Sequence, residues 1–108
     1  MQHSQLVRGV LDLAVVAAVE RGATYGYELV RHLQDVRFPR VSDASVYGTL
    51  KRLEEWGVLE SSLVGSPSGP ARRTYTVTRA GRRWFGEAEV EWRALTEATQ
   101  RLLENGST

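Results

Sequence analysis

The sequence predicts a mostly α fold carrying a single two-stranded β-hairpin, and three observations support it. Apolar residues recur at helical spacing in four separate stretches, two short strand-favouring runs flank a tip of glycine, serine and proline, and helix-capping or helix-ending residues stand at the joints. A chain of 108 residues, 42% of them apolar, has material for one hydrophobic core.

The first helix spans Gln5 to Glu20. Leu6, Val7, Val10, Leu11, Leu13 and the run Ala14 to Val19 leave it apolar on nearly every side. Such a helix must be covered from more than one direction, either by a second subunit or by its own domain wrapped around it. Gly22 ends it. Thr24 is placed to cap a second helix, Tyr25 to Val36, with Leu29, Val30, Leu33 and Val36 on one face. Phe38-Pro39-Arg40 stops that helix. Ser42 or Asp43 then caps a third helix running to Trp56, with Val46, Leu50 and Leu53 as its inward stripe and Gly57 as its terminator. Val58 to Val64 is a strand, Gly65 to Pro70 a loop and Arg72 to Val77 the returning strand, a hairpin with a tip of roughly seven residues. Thr78 caps a last helix, Arg79 to Glu104, and Asn105-Gly106-Ser107-Thr108 is expected to fray. Trp56 and Trp84 are expected to close the core.

Three helices, a hairpin and a long helix follow the winged helix-turn-helix plan. Residues 1–78 are expected to form that unit, and 79–108 a dimerisation helix.

The net charge of +1 conceals an uneven distribution. From Met1 to Val36, three arginines face four acids. From Arg37 to Arg83, nine basic residues face four acids, and from Trp84 onward two arginines face five glutamates. The middle of the chain therefore carries a positive field suited to a polyanion. On the third helix, with the apolar stripe inward, Ala44, Ser45, Gly48, Lys51 and Arg52 point outward and Tyr47 sits at the flank. Lys51 and Arg52 suit phosphates or guanine edges, and Ser45 and Tyr47 offer neutral hydrogen bonds. Gly48 lacks a side chain in mid-helix, either for close backbone approach to DNA or as a neutral feature of a solvated face. Arg72 and Arg73 point to opposite faces of their strand, so at least one is free to reach a phosphate or the minor groove.

Three stretches resemble the PadR family of transcriptional regulators: Tyr25-Gly26-Tyr27-Glu28-Leu29, Ser45-Val46-Tyr47-Gly48-Thr49-Leu50-Lys51-Arg52-Leu53-Glu54, and Arg72-Arg73-Thr74-Tyr75-Thr76-Val77-Thr78-Arg79-Ala80-Gly81. Gly48 departs from the pattern, in which proline often follows the tyrosine. The resemblance implies a cytoplasmic, dimeric repressor of the short form, bound to double-stranded operator DNA and released by a small effector. It adds Tyr25 to the DNA-facing set.

A last helix of 26 residues would be about 39 Å long, more than so small a domain can cover. Phe85, Ala88, Trp92, Leu95, Thr99 and Leu102 recur along it at alternating spacings of three and four, a short heptad seam. With Leu6, Val10 and Leu13 of the first helix, this seam is the expected homodimer interface. Trp92 either fills that interface or serves as a ligand platform. In similar multidrug-responsive family members a central tryptophan from each subunit stacks planar ligands, which implies an effector pocket of Trp92, Leu13, Val16 and Leu95.

Other functions have less support. The absence of cysteine removes disulfides, thiolate metal sites and cysteine nucleophiles. His3 and His32 stand apart from any triad, so neither an enzyme nor a metal or cofactor site is expected. The run Val10 to Val19, broken by Asp12, is too short to span a bilayer. The opening Met1-Gln2-His3-Ser4 lacks the features of a signal peptide, and a cytoplasmic location is expected. The remaining alternative is a winged helix used only for protein contacts, as in an antirepressor.

Overall fold

The computed structural model describes residues 3–66 and 68–105; Met1, Gln2, Pro67 and Gly106 to Thr108, parts of the expected N-terminus, wing tip and frayed end, lie outside the described residues. The elements are α1 (His3–Glu20), α2 (Gly26–Asp35), α3 (Asp43–Glu55), β1 (Leu59–Ser66), β2 (Gly69–Val77) and α4 (Arg79–Asn105). Their order is the one expected.

The first three helices end in the same way. After α1, Gly22 N–H donates to the Val19 carbonyl and Ala23 N–H to that of Ala18; after α3, Gly57 N–H donates to Glu54 and Val58 N–H to Leu53. Gly22 (φ 110°) and Gly57 (φ 77°) supply the left-handed residue that this double closure needs. After α2 the pattern repeats, with Arg37 N–H to Gln34 and Phe38 N–H to Leu33. There the left-handed position is held by Arg37 at φ 60°. Phe38, packed on the core just beyond it, anchors the turn into α3.

Several boundaries differ from expectation. The cap of α2 is Tyr25 rather than Thr24, because Glu28 reaches back to accept from the backbone N–H of both, at 3.1 Å from Thr24 and 3.0 Å from Tyr25. Val36, assigned to the inward stripe, lies past the last turn and is exposed. Trp56, expected in the core, is 59% exposed at the C-cap of α3, since that helix stops one residue earlier. The wing is longer than expected: β1 and β2 pair from Leu59↔Val77 to Val64↔Arg72, and Ser66 still pairs with Gly69. The ladder breaks register between Val64 and Ser66, opposite Pro70, which has no N–H to contribute.

A feature absent from the periodicity joins α2 to the wing. Tyr75 N–H donates to the Thr24 carbonyl at 2.9 Å, and Tyr25 bridges Thr74 as a single-residue third strand. The core lies between these layers, with Val15 and Val16 of α1, Leu29 of α2, Val46, Leu50 and Leu53 of α3, and Leu59 of β1 almost wholly buried. Helix α4 docks only by its first turns. Thr78 caps it by accepting from Gly81 N–H, Gly81 lies against the Val58 carbonyl, and Trp84 and Phe85 pack on the core. Farther along, Val90, Leu95, Leu102 and Leu103 are exposed, and the molecule measures 62 × 27 × 23 Å.

Candidate nucleic-acid interface

The chain has four tyrosines, and the fold brings all of them to one cleft. Tyr25, Tyr27 and Glu28 come from the start of α2, Tyr47 from α3, and Arg72, Arg73 and Tyr75 from β2, around a volume of about 860 Å³. The Arg72 guanidinium stacks 5.4 Å above the Tyr25 ring, and Arg31 lies 5.7 Å from the Tyr27 ring while donating to its hydroxyl. Such stacking holds the cations in place while leaving N–H groups free at their edges. Arg73 donates to Ser61, which in turn donates to Glu54 of α3, so the wing is tied to the helix it flanks.

Two titratable groups in the cleft are shifted from their ordinary values. The Tyr25 and Thr24 N–H groups, Tyr25 foremost, hold the Glu28 carboxyl below its ordinary value despite some burial, so its negative charge is taken up by the helix entrance. Burial pushes the Tyr75 phenol above its ordinary value, which keeps it a neutral donor. Gly26 makes the cleft's close packing possible: a Cβ there would stand 2.4 Å from Cε1 of Tyr47.

The expected DNA-facing residues divide into two groups. Tyr25, Tyr47, Arg72 and Arg73 converge on the cleft, and Lys51 and Gly48 are exposed on the outer face of α3, with open space around Gly48. Ser45 is otherwise engaged: its hydroxyl accepts from Ser42 N–H at 3.0 Å while Ser42 accepts from Ser45 N–H at 3.1 Å, a reciprocal cap of α3. Arg52, expected to point freely outward, instead turns back to α1 and forms an ion pair with Asp12. Tyr27 and Arg31 were missed. An i, i+4 tyrosine–arginine pair on a helix was the available signal.

A second hollow, about 590 Å³, runs between α1 and α4. It gathers Leu6, Val10, Leu13, Ala88, Trp92, Leu95 and Thr99 as the heptad spacing anticipates. Val16 is not among them; it is completely buried in the core, because α1 turns that face inward. Phe85 packs on the core instead, and Leu102 lies exposed beyond the groove. Trp84 lines the groove as well as touching the core, one turn before Ala88.

A helix pair joined by a tight turn, a hairpin tied to the second helix and a basic, aromatic cleft between them define a winged helix-turn-helix protein. The chain matches the transcriptional regulator PadR-like family over residues 15–87. It is 30% identical to a PadR-like transcriptional regulator of Bacillus cereus, with a TM-score of 0.81 over 92% of this chain and 96% of that one. A PadR family transcriptional regulator of Eggerthella lenta is 34% identical, with a TM-score of 0.80 over 93% and 87%. Bacillus subtilis PadR, solved in complex with operator DNA, shares the fold at 19% identity and a TM-score of 0.68, over 75% of this chain and 47% of that one. This chain belongs to the PadR-like family of transcriptional regulators, whose members are not enzymes. Among the described residues no helix is long and apolar enough to cross a membrane.

Proposed function

We propose that this regulator binds double-stranded operator DNA as a homodimer and acts as a repressor released by a small effector. The observation that carries the DNA reading is the convergence of four tyrosines with Arg72 and Arg73 beside the exposed face of α3. Lys51 and the Gly48 backbone approach the major groove, and the cleft and wing hold the flanking phosphates. Residues 1–78 form the DNA-binding unit and residues 79–108 the dimerisation helix. The α1–α4 groove supports this division: Leu6, Trp92 and Leu95 are exposed there to an extent that a helix of a partner subunit would relieve. Trp92, 40% exposed in the groove, is the platform on which a planar effector stacks.

The test is titration of a duplex from the gene's own upstream region at several salt concentrations. With Lys51, Arg72 and Arg73 engaged on both subunits, log affinity falls against log salt with a slope of about −5. Lys51→Ala with Arg72→Ala abolishes operator binding and leaves the sedimentation mass of a dimer. Retained binding moves the interface off this face, and a monomeric mass for the unmodified protein refutes the dimer.

A further inference from the structure

We infer that Asp12 is a positioning residue for the DNA-reading helix: it withholds Arg52 from DNA by anchoring it to α1. This rests on the reading of α3 as the helix that meets DNA. Arg52 lies on the flank of α3 next to the outer face that carries Lys51 and Gly48. Its guanidinium donates to the Asp12 carboxylate, and its Cζ lies 5.6 Å from the centroid of the Trp56 ring. Both partners are partly buried, Arg52 at 33% side-chain exposure and Asp12 at 19%, which makes the pair stronger than a free surface contact. While the pair holds, the guanidinium is turned towards α1 and a carboxylate offsets its charge, so it is a weaker phosphate ligand than an unpaired arginine.

Three features give the released side chain a defined destination. Arg8, one turn before Asp12 on α1, lines the same two hollows as Arg52, so without the carboxylate two guanidinium groups face each other across them. Helical side chains lean towards the residue four positions earlier, which for Arg52 is Gly48. A Cβ built on Gly48 meets nothing within 4 Å, so that surface has room for the long arginine stem. Asp12 also borders the α1–α4 groove, which puts the residue that sets Arg52 in contact with the proposed dimer and effector surface.

The test uses Asp12→Asn, Arg52→Ala and their combination in the full chain, titrated with a 30-base-pair duplex of the upstream region and a scrambled duplex. Asp12→Asn steepens the salt slope by about 0.9 per subunit on both duplexes, an added gain of roughly threefold per subunit, or about tenfold for the dimer, for a fourfold dilution of salt. Adding Arg52→Ala removes that gain. In parallel, ¹H–¹⁵N spectra without DNA follow the Arg52 side-chain N–H and the Trp56 indole, which shift on Asp12→Asn. If those signals stay in place, the anchor is overturned. If they shift while slope and affinity do not rise, or if the gain survives in the double variant, the positioning role is overturned. No DNA binding by the unmodified protein at any salt overturns the reading of α3 itself, a different outcome because the spectra still report the anchor. Should Asp12→Asn lose its helical circular dichroism, Asp12→Ser serves in its place.

Discussion

Replacing Gly26 with alanine separates what holds the fold together from what the proposed interface contributes to DNA binding. A Cβ at this position would lie 2.4 Å from Cε1 and 2.7 Å from Cζ and the hydroxyl oxygen of Tyr47, distances that no packed structure tolerates. The obstructing atoms are the far end of a side chain that is 48% exposed, so the phenol swings out of the cleft and the backbone stays in place. A displaced rotamer costs about 0.5–1.5 kcal/mol. Alanine gains up to about 1 kcal/mol over glycine in a helix, which offsets most of that. The melting temperature should therefore move by no more than about 8 °C. Binding is a different matter, because a hydrogen bond to a charged phosphate contributes about 1.5–3 kcal/mol. Losing the Tyr47 hydroxyl from the interface should weaken DNA binding by roughly tenfold to a hundredfold per subunit. The phenol is neutral, so the salt slope should not change. Fluorescence anisotropy on the upstream duplex and thermal circular dichroism read the two effects separately. Tyr47→Phe should reproduce the binding loss, and the double variant should be no worse than either single one, since both remove the same contact. Wild-type affinity in Gly26→Ala, or losses that add in the double variant, would refute the placement of Tyr47 at the interface.

Gly81→Ala should behave in the opposite way. Its Cβ would meet the Val58 carbonyl oxygen at 2.1 Å, an immovable backbone atom, and calorimetry should register a loss of about 1–3 kcal/mol. Arg37→Gly should raise stability by about 1 kcal/mol, measured by urea unfolding, because it relieves a left-handed conformation at φ 60°. Thr78→Ala removes the acceptor for Gly81 N–H and should cost about 0.5–2 kcal/mol in the same assay. Glu28 has a folded pKa below its ordinary 4.5, so it contributes stability above that pH and loses it as pH falls through the folded value. The urea midpoint of the unmodified protein should therefore drop more steeply below pH 4.5 than that of Glu28→Gln.

Much of this molecule is legible residue by residue. Val46, Leu50 and Leu53 recur at helical spacing, and all three are fully buried. Gly22 and Gly57 mark the ends of α1 and α3 because a left-handed closure favours glycine, and both have positive φ. Ser42 and Thr78 cap their helices because a short hydroxyl reaches the orphan N–H groups of a first turn. These are short-range requirements, and the sequence alone determines them. It determines too the seam from Ala88 to Thr99, since the periodicity of one helix specifies which side chains share its face.

Contacts between elements were settled by tertiary structure. Helical periodicity points Arg52 outward but says nothing of Asp12, forty positions earlier, whose carboxylate turns it back. Val16 follows the apolar pattern of α1 on every side, and only the packing of α2 and α3 decides that it faces the core rather than the groove. The wing extends through residues that locally favour a loop because ladder hydrogen bonds between strands outweigh the turn preference of Gly65 and Gly69. The cleft is the clearest case. Its tyrosines lie up to fifty positions apart, and Gly26 shows its purpose only when Tyr47 is laid against it. Local propensity acts over a few residues, whereas a surface that meets another molecule is assembled from several elements, and its geometry exists only once the core has brought them together.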